Sequence, residues 1–167
     1  GPMRALLILP PLNKKVFGRW HRLMQPMPSV GTASIAAVLE RERWTVRALD
    51  MFADGVEVED LAPILARELP DLVGVTVLTP AAPAAAAICR AVRTHAPRAT
   101  IVLGGVHASV FPAESLAAGY ADIVVHEEGE ETIRELAHAL EDGKSLEGVR
   151  GAIYKEAGHV KDNPDRP

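Results

Sequence analysis

Thr100-Ile101-Val102-Leu103-Gly104-Gly105-Val106-His107 is the stretch whose reading decides the fold. Four residues that favour extended structure run directly into two glycines, which stop the strand. A strand that is apolar at consecutive positions is covered on both faces, as in a parallel sheet flanked by helices. The same kind of run recurs at Arg4–Leu9, Thr45–Leu49, Leu72–Val77 and Asp122–Val125.

Between these runs the apolar period becomes 3.6. Leu61, Ile64, Leu65 and Leu69 share one helical face, as do Ala84, Ala87, Ile88, Ala91 and Val92. Ile133, Leu136, Ala137 and Leu140 form the stripe of the last helix, with Gly143 placed to end it. A helix over about Val30 to Arg43 takes Ser29 as its N-cap, and a short one starts near Pro112 and stops at Gly119. Five βα units in succession predict an α/β fold: a doubly wound, parallel, five-stranded sheet of the Rossmann or flavodoxin-like kind. Ala152–Lys155 and His159–Lys161, around Glu156-Ala157-Gly158, predict a small C-terminal hairpin. The expected organisation is one domain over residues 3–150, with the hairpin and the start of a linker over 151–167, where Asn163-Pro164-Asp165-Arg166-Pro167 is rich in Pro and polar groups.

Composition narrows the function. Gly1-Pro2 before Met3 reads as a protease-cleavage scar, and the remaining length suits one domain that folds without disulfides. Cys89 is the sole cysteine, so neither a disulfide framework nor a thiolate metal site can be built from this chain, and its Ala-rich surroundings predict a buried thiol. The net charge of -4 comes without a Lys/Arg block, which predicts no nucleic-acid partner. No apolar run is long enough for a membrane span, and a cytoplasmic location is expected. No nucleophile–base pair stands out, so no catalytic residue is assigned.

A ligand in such a sheet binds beyond the carboxyl ends of the strands, where the strand order reverses. For an order 2-1-3-4-5 that point lies between the first and third strands. The loops facing it are Pro10–Pro28, Leu78–Pro83, Gly104–Phe111 and His126–Gly129. The first is long and carries Phe17, Trp20, His21 and Met24, which suits a cover over a ligand or a contact with another domain, the alternative being a mobile excursion. Three familiar ligands are excluded. After the first strand Leu9-Pro10-Pro11-Leu12-Asn13 has none of the glycines of a dinucleotide site and none of the Ser, Thr and Gly of a flavin phosphate loop. The third strand ends Val77-Leu78-Thr79, without the Asp of a phospho-acceptor domain.

Gly104-Gly105-Val106-His107 with Pro112, then Glu128-Gly129-Glu130-Glu131-Thr132, resembles the GGxH…P and GEGExT segments of a known family. This is the cobalamin-binding domain that precedes the catalytic barrel in cobalamin-dependent radical S-adenosylmethionine (SAM) enzymes. The likeness runs from about Met3 to the C-terminus. Thr76-Val77-Leu78 resembles the family's S-x-L element, and Thr76 precedes Gly104 by 28 residues, within the family's usual separation. Glu127 replaces the first Gly of the second segment.

The resemblance implies a cobalamin whose nucleotide tail lies along glycine backbone at the strand ends. The implied cofactor-binding residues are Asn13, Thr76, Leu78, Thr79, Pro80, Gly104, Gly105, Val106, His107, Glu128, Gly129 and Glu130. It also implies cobalt without a protein His ligand. Carriers of the methionine synthase type use D-x-H-x-x-G after the first strand, whereas Asp50-Met51-Phe52-Ala53-Asp54-Gly55 follows the second and has Phe52 in the His place. His21 lacks the flanking Asp and Gly. The iron–sulfur cluster and SAM would sit in a separate C-terminal radical SAM domain, and the chain reads as a domain excised from such a methyltransferase or cyclase, not catalytic alone. The alternative is a degenerate domain of the same fold that has lost cobalamin and serves docking or substrate positioning.

Overall fold

The computed structural model describes residues 2–11, 26–76, 82–104, 121–125, 130–156 and 159–163, with backbone only at 26–33, 82–84 and 162. Seven strands form one sheet in the order β2-β1-β3-β4-β5-β6-β7. They are β1 (Arg4–Leu9), β2 (Thr45–Asp50), β3 (Leu72–Thr76), β4 (Thr100–Gly104), β5 (Ile123–Val125), β6 (Ala152–Glu156) and β7 (His159–Asp162). The first five are parallel, in the expected 2-1-3-4-5 order. The hairpin does not stand apart. β6 pairs antiparallel with β5, and β7 with β6, which extends the sheet from five strands to seven. Ala152, Ile153 and Tyr154 are buried there, so the hairpin shares the core of the parallel strands.

Among the described residues four α-helices cover the faces: α1 (Pro26–Arg41), α2 (Leu61–Glu68), α3 (Ala82–His95) and α4 (Glu130–Asp142). Residue alternation along each strand divides the core in two. On one face Leu6, Ile8, Val73, Val75, Ile101 and Leu103 meet Leu61 and Leu65 of α2 and Ile88, Cys89 and Val92 of α3. On the other, Ala5, Leu7, Leu72, Val102, Ile123 and Val125 meet Val38 and Leu39 of α1 and Ile133, Leu136 and Ala137 of α4. Among the described residues no helix is long and apolar enough to cross a membrane.

Two local expectations change and one holds. α1 starts at Pro26, so Ser29 lies inside its first turn and is not the cap. Pro26 and Pro28 fit there because the first helical amides have no intrahelical acceptor. Leu69 is not part of the α2 core stripe: the helix ends at Glu68, Leu69 turns left-handed at φ 46°, and its side chain is 70% exposed. Gly143 does end α4, at φ 64°, with Lys144 N–H bonded to the Ala139 carbonyl and Gly143 N–H to that of Leu140. The end of α1 has the same pattern, Trp44 N–H to Leu39 and Arg43 N–H to Glu40, but Arg43 holds the left-handed position at φ 67°.

Candidate functional site

The carboxyl ends of the parallel strands carry the described candidate residues. Thr76, last in β3, lies directly opposite Gly104, last in β4, and Gly104 lies opposite Val125, last in β5. Alternation puts Thr76, Gly104 and Val125 on the face covered by α1 and α4. Two of the residues singled out in the sequence are therefore neighbours on one face of one edge.

The described glycines differ in what makes them glycine. Gly74 lies beneath Leu7, whose Cδ2 would stand 2.9 Å from an added Cβ. Gly151 has φ 85°, and a Cβ there would stand 2.9 Å from the Thr132 hydroxyl oxygen. Gly104 has neither constraint: its φ lies outside the left-handed region, and among the described residues a Cβ would meet nothing within 4 Å. A turn requirement does not explain it. A ligand lying flat against strand backbone needs a position left open in this way by the described residues, so those residues fit the long tail of a corrinoid at this edge.

Glu130 opens α4, and its carboxylate accepts a hydrogen bond from the Ser34 hydroxyl of α1 at 2.8 Å. Glu131 pairs with Arg134 one turn on and holds that guanidinium all the more firmly protonated through their hydrogen bond. Both carboxylates of the first turn are thus engaged by side chains, while the aligned peptide dipoles give the helix start a positive character. A shallow groove of about 560 Å³ runs between the two helices, lined by Ser34, Ala37, Glu40, Arg41 and Glu130. Its lining includes Glu130 but neither Thr76 nor Gly104.

Ser34 had no distinguishing sequence signal. Thr132 did, as the last residue of the Glu-rich segment, and it turns inward: it is 2% exposed, and its hydroxyl donates to the Arg150 carbonyl at 2.7 Å. Asp50 to Gly55, whose spacing imitates a His-bearing motif, is a turn. Asp50 Oδ1 accepts Ala53 N–H at 3.0 Å, Asp54 Oδ2 accepts Asp50 N–H at 3.2 Å, and Gly55 has φ 65°. The described histidines sit at the opposite, amino edge of the sheet: His95 ends α3, His159 begins β7 opposite Glu156, and His138 reaches Glu42 at 2.9 Å.

Asn13, Leu78, Thr79, Pro80, Gly105, Val106, His107, Glu128 and Gly129 lie outside the described residues. So do Phe17, Trp20, His21 and Met24 of the first loop, Glu127, the short helix expected from Pro112 to Gly119, and residues 164–167 of the expected linker.

Comparison with known proteins gives the site its context. Residues 21–137 match the family model described as B12 binding domain. The chain is 34% identical over 169 residues to an uncharacterized methyltransferase of Pyrococcus horikoshii, covering 99% of this chain and 35% of that one. It is 29% identical over 166 residues to the anaerobic magnesium-protoporphyrin IX monomethyl ester cyclase of Cereibacter sphaeroides, covering 95% of this chain and 26% of that one. The radical SAM methyltransferase TsrM of Kitasatospora setae, solved with cobalamin and a 4Fe-4S cluster, superposes with a TM-score of 0.80 at 22% identity, over 100% of this chain and 30% of that one. That last likeness concerns the fold. The chain spans between about a quarter and about a third of the length of these relatives. On the family match over most of its length, with the strand order and open strand-end glycine described above, the chain belongs to the B12-binding domain family.

Proposed function

We propose that this domain holds cobalamin at the carboxyl edge of β3 and β4, within a longer protein whose radical SAM domain carries the iron–sulfur cluster and SAM. The observation that carries this reading is Gly104, a strand-end glycine outside the left-handed region, where an added Cβ would meet nothing within 4 Å among the described residues. The nucleotide tail lies along that backbone on the α1/α4 side. The Thr76 hydroxyl is on the same face to hydrogen-bond it, and the start of α4 offers amides to its polar groups. Glu130 at the start of α4 belongs to the same proposed binding set. Asn13, Leu78, Thr79, Pro80, Gly105, Val106, His107, Glu128 and Gly129, outside the described residues, complete it on the motif resemblance alone.

Cobalamin, when bound, supplies a cobalt centre able to accept a methyl group and hand it on. This chain's part is to bind and orient the ring and tail and to shield them from water. The cobalt is held without a protein imidazole. Support comes from His95, His138 and His159 lying at the far edge, and from the Asp50–Gly55 turn having Phe52 at the position a ligand would need. The separate radical SAM domain and a methyl-transfer or cyclisation reaction are supported by the names and greater lengths of the relatives.

Purified protein incubated with hydroxocobalamin and dialysed should retain about one equivalent. Electron paramagnetic resonance of the reduced Co(II) form should show no axial splitting that changes on ¹⁵N labelling of the protein. No retained corrinoid at high micromolar ligand overturns the binding assignment, and a labelling-dependent splitting overturns the His-free assignment.

A further inference from the structure

Thr132 is the sole buried polar side chain among the described residues, and it belongs to the first turn of the helix that faces the candidate site. Apolar packing of Ile133, Leu136 and Ala137 decides which way α4 faces, and Ser34–Glu130, His138–Glu42 and Trp44–Glu141 tie it to α1 and the residues that follow its end, but none of these contacts ties its first turn to the hairpin. The bond from the Thr132 hydroxyl to the Arg150 carbonyl is directional, and at 2.7 Å it sets the first turn of α4 against the segment that leads into β6.

The acceptor is itself anchored. Gly151, left-handed at φ 85°, brings its backbone so close that an added Cβ would stand 2.9 Å from the Thr132 oxygen. Ala152 follows as the first residue of β6, paired with Val125 at the end of β5. Asn163 pins the same corner, donating from Nδ2 to the Leu146 and Val149 carbonyls at 2.9 and 3.0 Å. Thr132 thus ties the start of α4 to the carboxyl edge of the sheet on which Gly104 lies.

We infer that Thr132 is a positioning residue for the cofactor: through Arg150 and Gly151 it sets how far the amides at the start of α4 stand from the strand ends, and hence how well they meet the polar groups of the cobalamin tail. This rests on the binding proposed above. Thr132 itself, buried beneath the first turn, makes no contact with the ligand. Since the hydroxyl and the Arg150 carbonyl are the working parts, Ser should replace Thr and Val should not.

The test compares wild type with Thr132→Ser and Thr132→Val, each titrated with hydroxocobalamin well below its melting temperature, with amide hydrogen exchange measured on the ligand-free proteins. Thr132→Val should weaken binding by roughly ten-fold, as for one misaligned hydrogen-bonded contact. It should also speed exchange at Arg134 to Leu136 relative to Val73 and Val75 of β3, and Thr132→Ser should restore both. Wild-type affinity in a folded Thr132→Val overturns the inference and leaves Thr132 a structural residue only. Should wild type itself take up no corrinoid, the binding proposal fails, and exchange decides this one: acceleration confined to the start of α4 upholds the positioning link, and unchanged or uniform acceleration overturns it. If Thr132→Val does not fold, Gly151→Ala presses on the same hydroxyl from the other side and is read by the same two measurements.

Discussion

Thr76 and Gly104 are register partners at the carboxyl ends of β3 and β4, on the face covered by α1 and α4. One offers a hydroxyl and the other an absent side chain, so a ligand lying against Gly104 passes within reach of Thr76. Thr76→Val keeps the shape and β-propensity of the position and removes only the hydrogen-bonding group. Melting should stay within about 0.5 kcal/mol of wild type, as for a half-buried substitution away from core packing. Hydroxocobalamin affinity should fall by about 1 kcal/mol, roughly five-fold in Kd. Unchanged affinity would place the tail elsewhere.

The end of α1 contains a removable strain. Arg43 takes φ 67° at the position where a helix end favours glycine, and Trp44 packs on the core beside Leu39 immediately after it. Arg43→Gly should raise stability by about 0.5–1 kcal/mol, or about 2 °C in Tm for a chain of this size. A chemical denaturation curve checks this, and a loss of stability would mean that Arg43 makes a contact worth more than the strain.

Cys89 gives the fold an alkaline limit. Burial pushes its thiol up to about 12, with the Arg93 guanidinium acting in the opposite direction. The folded chain holds this proton more tightly than the unfolded chain, so the contribution is full below about pH 9 and is lost as pH rises from there toward about 12. Cys89→Ala should be about 1 kcal/mol less stable at neutral pH through lost packing, and its stability should fall less steeply over that alkaline window. Native Cys89 should also resist iodoacetamide until the protein unfolds.

The parallel sheet was legible in the sequence because strands buried on both faces leave continuous apolar runs, and Val73-Gly74-Val75 or Ile101-Val102-Leu103 admits few other readings. Strand order followed from the handedness of βα units. Pairing of the hairpin with β5 was not legible, since alternation specifies a strand's faces and not its neighbour. Leu69 was misplaced because a 3.6-residue period carries no mark of where a helix stops when a Leu, rather than a Gly, takes the left-handed position. At the site, Thr76 and Gly104 could be singled out from their segments, and the sheet brings them together. Ser34 and the Thr132–Gly151 contact could not, because they depend on how α1 and the hairpin pack against α4.

The location of the cofactor tail is tested most directly by Gly104→Leu, titrated with hydroxocobalamin beside wild type and melted under the same conditions. Among the described residues the side chain meets no neighbour at its Cβ and the backbone is not left-handed, so melting should remain native-like, while binding of about one equivalent in wild type should be abolished in the variant. Native-like melting together with full binding by Gly104→Leu would contradict the account, since the strand end would then carry a side chain and a cofactor that do not compete for the same space.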